Sequence, residues 1–82
     1  MQKIDTLKSA LIAREEEILG YQINIDNYTL AIEKINKEYS DNPAIVEFRD
    51  RLSELLESHK TEQLKAIIIR DVIADQLKDI NG

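Results

Sequence analysis

Cysteine is absent from the chain, so neither a disulfide framework nor a thiolate zinc site can hold it together. At 82 residues a single small core gives only marginal stability, because so short a chain leaves a large share of its surface in water. Close packing or oligomerisation must supply the rest. Glycine occurs twice, proline once and tryptophan not at all, too little turn chemistry for an all-β domain. No apolar run approaches the roughly 18 residues of a membrane span, and no basic segment followed by an apolar core stands near the N-terminus. A cytoplasmic chain with no membrane association is expected. Without a secretory signal, the glycosylation-type triplet Asn27-Tyr28-Thr29 reads as chance. Clustered basic residues are lacking too: the net charge is −5 and the pI about 4.8. That argues against phosphate-backbone contacts, so no nucleic acid is expected as a partner.

What is present is 43% hydrophobic and 33% charged residues, too apolar for a disordered chain. Long amphipathic helices fit that mixture. The stretch ILGYQINIDNYTLAI, residues 18–32, poses the main ambiguity. Tyr21, Ile23 and Ile25 alternate with Gln22, Asn24 and Asp26, the period of a half-buried strand. A longer period competes with it. With heptad position a at Ile4, the a positions are Ile4, Leu11, Ile18, Ile25, Ile32 and Tyr39, and the d positions Leu7, Arg14, Tyr21, Tyr28 and Ile35. Only Arg14 among these is charged. The heptad accounts for five successive repeats where the strand accounts for a few residues, so a helix is predicted. Local preference opposes it, since Gly20, Asn24, Asp26, Asn27 and the β-branched residues each cost about 0.4–1 kcal/mol against Ala in a helix. Packing must hold this segment helical.

In the segment EYSDNPA, Asn42 is a suitable N-cap and Pro43 a suitable first helical residue. From Pro43 to Ile80 a second helical pattern places Ile45, Phe48, Leu52, Leu55, Leu56, Ile67, Ile69, Ile73, Leu77 and Ile80 on one broad face. Its weak point is residues 57–63, where His59 and Glu62 interrupt that face and Thr61 could cap a new helix. The fold class expected is all-α, an antiparallel hairpin of helix 3–39, turn 40–42 and helix 43–80, with a break near 58–61 as an open alternative. Asn81-Gly82 closes the chain as a helix stop.

A second apolar row, Ile12, Leu19, Ile23 and Leu30, lies far around the first helix from the a/d seam. Leu64, Ile68 and Val72 form a corresponding row on the second. One intramolecular partner cannot cover both rows and the seam. A homo-oligomer is therefore expected, most simply a dimer forming a four-helix coiled-coil-like bundle, with these seven residues as interface candidates. Charge placed at Ile23 should then disrupt assembly.

No constellation commits the chain to a reaction or a cofactor. His59 is the sole histidine, and the Glu-x-x-His spacing of di-iron bundles is missing, so a register-setting, hydrogen-bonded histidine is the expected role rather than a metal ligand. Arg14 at its d position reads as a second register-setting polar residue, ion-paired or reaching past the seam edge. Glu47, Asp50, Glu54 and Glu57 form one acidic stripe and Asp71, Asp75 and Asp79 another. Such stripes ordinarily keep an apolar protein soluble, but they could also mimic nucleic-acid phosphates. Two classes of function stay open: a non-enzymatic structural or interaction protein binding a protein partner through its helix faces, and a small acidic inhibitor or decoy of the kind a phage or mobile element carries. Enzymatic activity, metal and cofactor are not expected.

Overall fold

The computed structural model describes residues 2–81 and consists of two long helices, α1 (Gln2–Glu38) and α2 (Pro43–Asn81), in an antiparallel hairpin. The Cα trace spans 60 × 17 × 14 Å. Residues 18–32 are helical throughout, so the heptad wins over the strand-like alternation. Ile25 and Ile35 of α1 are buried against α2, which supplies the packing that the poor helix formers around them require. Thr29 adjusts locally by turning its hydroxyl back to the Ile25 carbonyl at 2.8 Å.

The reversal is built as the sequence suggests. Asn42 Oδ1 accepts the Ile45 N–H at 3.3 Å, and its carbonyl accepts Val46 N–H at 2.9 Å, which makes Asn42 the N-cap and Pro43 the first helical residue. Asn42 N–H in turn donates to Tyr39 O at 3.0 Å, closing a tight turn. No described residue takes a positive φ. Both helices end within one residue of the predicted bounds.

For α2 one alternative is closed and one expectation corrected. The helix does not break near 58–61: it is continuous from Pro43 to Asn81. Thr61, read as a possible new cap, instead donates its hydroxyl to the Glu57 carbonyl one turn back at 3.1 Å. The correction concerns the inner face. The side chains turned toward α1 are Ile45, Arg49, Leu52, Leu56, His59, Gln63, Ala66, Arg70, Ile73 and Leu77, a strict alternation of four- and three-residue steps. Phe48, Leu55, Ile69 and Ile80, predicted to share that face, are exposed. The cause is spacing: Phe48, Leu55 and Ile69 lie in one line, seven or fourteen residues apart, flanking the seam by about a quarter turn.

Three cross-helix contacts fix the register. Gln63 faces Gln22, Arg49 faces Asn36, and His59 sits between Tyr21 and Tyr28. Ile18 thereby stands opposite Ala66, Ile25 opposite His59, and Ile32 opposite Leu52. The core is one side chain deep, and no side chain in it is completely buried.

Candidate helix-face interfaces

The middle of the seam is polar. Gln63 Nε2 donates to Gln22 Oε1 at 2.9 Å and to the Ile18 carbonyl at 3.2 Å, tying α2 to the backbone of α1. His59 Nδ1 lies 2.9 Å from the Leu55 carbonyl; a carbonyl only accepts, so Nδ1 carries the proton there. The imidazole meets the rings of Tyr21 and Tyr28 edge-on, with centroids 5.7 and 5.2 Å away. Each of these groups has a partner, and no buried side-chain nitrogen or oxygen among the described residues is left without one. Nearer the turn, Arg49 Nη1 donates to Asn36 Oδ1 at 2.9 Å.

Arg14 does not reach across to α2. Its guanidinium lies 3.7 Å from Glu17 one turn along α1, with about two-fifths of the side chain exposed, so it leans out of the seam edge. Among the described residues no group of three or more His, Asp or Glu side chains is arranged to hold a metal ion.

All seven interface candidates stand in solvent, from 49% exposed at Val72 to 62% at Leu30. They do not form one surface. The hairpin has two broad sides. One, the amide side, carries the Gln22–Gln63 and Asn36–Arg49 links. The other, the pocket side, carries an open depression of about 250 Å³ near the turn, walled by Ala31, Ile35, Tyr39, Ile45 and Phe48 and rimmed by Lys34. Helical spacing places Ile12, Leu19 and Leu64 on the amide side, Val72 with Phe48, Leu55 and Ile69 on the pocket side, and Ile23, Leu30 and Ile68 on the outer edges. Reading α2 by its hydrophobic residues alone missed Phe48, Leu55 and Ile69 as surface. Their shared seven-residue phase was the feature that could have identified them.

The acidic stripes are exposed along their whole length: Glu47, Asp50, Glu54 and Glu57, then Asp71, Asp75 and Asp79. Four of these carboxylates reach a base on their own helix, Glu47 to Arg51, Asp50 to Arg49, Glu57 to Lys60 and Asp71 to Arg70. Such exposed pairs contribute little to stability. No helix among the described residues is long and apolar enough to cross a membrane. Compared with protein-family models, curated proteins and solved structures, the chain matches none.

Proposed function

We propose that this chain is a non-enzymatic interaction protein: a helical hairpin that self-associates, most simply as a dimer in a four-helix bundle, and binds a protein partner through helix faces left over. The observation that carries this reading is the imbalance of apolar surface. Among the described residues six apolar side chains are buried, whereas twelve large ones are exposed, all at 41% or more. Isolated exposed leucines need no explanation, but rows of them along both helices of so thin a molecule mark contact surfaces. The segment AIIIRDVIA, residues 66–74, is apolar nearly all round, a pattern that belongs inside a larger assembly.

The acidic-decoy reading is weaker, because four of its seven carboxylates already have a basic neighbour on the same helix. Salt separates the two. A decoy complex weakens steeply with ionic strength, and an apolar helix-face contact does not.

The test is light-scattering mass on a sizing column over a hundredfold range of concentration, for the wild type and for Ile23→Asp. A mass of two chains or a higher closed multiple supports self-association. The mass of one folded chain at every concentration removes it and leaves the rows to a different protein. A folded Ile23→Asp variant of unchanged oligomeric mass excludes the outer edge of α1 as a contact between copies.

A further inference from the structure

We propose that the second copy docks on the pocket side, with the Phe48–Leu55–Ile69 row of each α2 laid over the Ala10–Gly20–Ala31 side of the other copy's α1. This deepens the self-association reading and rests on it.

Four observations converge on that side. First, its two helices differ in relief: the flanking positions of α2 bear Phe48, Leu55 and Ile69, all exposed, and those of α1 bear the small Ala10, Gly20 and Ala31 spaced among the polar Glu17, Asn24 and Lys34. Large side chains on one helix over small ones on the other let two copies interdigitate when a two-fold axis runs along the hairpin. The same axis puts every helix antiparallel to both neighbours. Reversing one copy end to end would set the large row upon itself.

Second, Gly20 has no purpose inside the hairpin. It lies in mid-helix, where glycine costs about 1 kcal/mol against alanine, and a Cβ built there meets nothing within 4 Å. Close approach by another chain explains a bare backbone at that position.

Third, the depression beside Ala31 and Phe48 has apolar walls and lies where the partner's Phe48 would come down on α1. The side as a whole, taken from the 60 × 17 Å extents, offers roughly 1,000 Å² per copy, against the roughly 800 Å² that a stable complex buries on each partner.

Fourth, charge chooses between the two sides. On the amide side the same two-fold would set Asp50 over Glu33 and Glu57 over Asp26, two carboxylate pairs against the single opposite pair of Lys78 over Asp5. On the pocket side it sets Lys65 over Glu17 and Asp79 over Lys3, opposite charges at the rim. Arg51 there meets Lys34, which Glu38 already holds at 2.7 Å. Ile12, Leu19, Leu64 and Ile68 remain outside such a dimer and are the surface a different protein would find.

The test combines mass and cross-linking in a chain that contains no native cysteine. Gly20→Arg and Phe48→Glu should each reduce the light-scattering mass from two chains to one, whereas Leu19→Glu and Ile68→Glu should leave it at two. Because a separated hairpin can lose its fold, a second measurement uses Ala31→Cys and Leu55→Cys. Mixed together and oxidised, they should give the covalent dimer, at several times the yield of either variant alone. A wild type that is a monomer at all concentrations overturns both this inference and the self-association beneath it. A wild-type dimer that Leu19→Glu separates and Gly20→Arg spares overturns only the choice of side. Equal cross-linking in the single and mixed samples overturns the orientation.

Discussion

Isoleucine and leucine serve opposite situations on the two sides of each helix. Along the seam, Ile25, Ile35, Leu52, Ile73 and Leu77 are buried; around the outside, Ile12, Leu19, Ile23, Leu30, Leu64 and Ile68 are more than half exposed. The interior is also the less apolar of the two at its centre, where Gln63, His59 and two tyrosines fill the layers. In a protein stable by itself the proportions run the other way. The hairpin thus has a polar centre that fixes alignment and an apolar exterior, the surface on which the proposed self-association would draw. That contrast can be broken from either side.

The largest effect should come from the seam. Leu52 is among the most buried side chains and packs level with Ile32. Leu52→Ala removes about 2–4 kcal/mol, transfer energy and cavity together, from a chain whose total stability is about 4–12 kcal/mol at this length. Urea unfolding followed by circular dichroism should show a midpoint lowered accordingly. Leu30→Ala, which empties only exposed surface in the hairpin, should lower it by far less. Equal losses at both positions would mean that Leu30 is buried in the working assembly and would erase the distinction between inside and outside.

Next in size is the polar centre. His59→Leu replaces a ring bonded only to its own helix by an apolar side chain facing Ile25, and stability should rise by about 1–2 kcal/mol. The gain should be accompanied by looser alignment of the helices, since polar seam residues commonly select one pairing. A thermal melt reads the first effect. The yield of a disulfide between cysteines placed at Glu15 and Arg70 in the same chain, one heptad from Gln22 and Gln63 and related as they are, compared with and without His59, reads the second. A lowered melting temperature would show that the contacts with Tyr21 and Tyr28 outweigh the cost of a polar group in the seam.

Much of this organisation is legible in the sequence, and the residues that are not share a cause. The α1 seam from Ile4 to Ile35 follows from its heptad, and the turn follows from Asn42-Pro43, because in both places the residue type matches the structural demand. On α2 the demand is met by unexpected types. Arg49, Gln63 and Arg70 occupy inward positions, with their polar ends directed to Asn36, Gln22 and the neighbouring Asp71, so hydrophobicity points to Phe48, Leu55 and Ile69 instead. Similarly, His59 and Thr61 suggest a break, yet each turns its polar atom to the carbonyl four residues back, and the helix runs on. The seven exposed interface candidates are legible as surplus apolar surface. Their distribution over two sides and two edges is not, since it depends on the register between helices, which only the cross-helix contacts establish.

A smaller effect probes the exterior at its barest point. Gly20→Ala should stabilise an isolated hairpin by about 1 kcal/mol through helix propensity alone, as its Cβ enters open space. If another helix lies against this position, part of the gain is lost to crowding. Chemical denaturation at two protein concentrations tenfold apart separates the cases: a gain that shrinks as concentration rises places a neighbour at Gly20, and a constant gain leaves it in water.

The smallest effect belongs to the exposed polar surface. Lys34 and Glu38 are one turn apart with nitrogen and oxygen separated by 2.7 Å, and the hydrogen bond that Lys34 donates to Glu38, with the carboxylate's charge, raises the Lys34 pKa above the ordinary value of 10.5. A folded-state pKa above the unfolded one means that the pair's stabilisation is complete below 10.5 and disappears as pH climbs through the raised value. The pair is solvent-exposed and has the lysine N-terminal to the glutamate, the less favourable order on a helix, so its contribution is small and screened by salt. Lys34→Met should accordingly melt slightly below wild type near neutral pH, and that difference should vanish both in high salt and at pH values well above 10.5. A deficit that persists under those conditions would have another origin: the lysine stem at the rim of the Phe48 depression would then be packing against a neighbour, and the pocket side would be an interface by a criterion independent of mass.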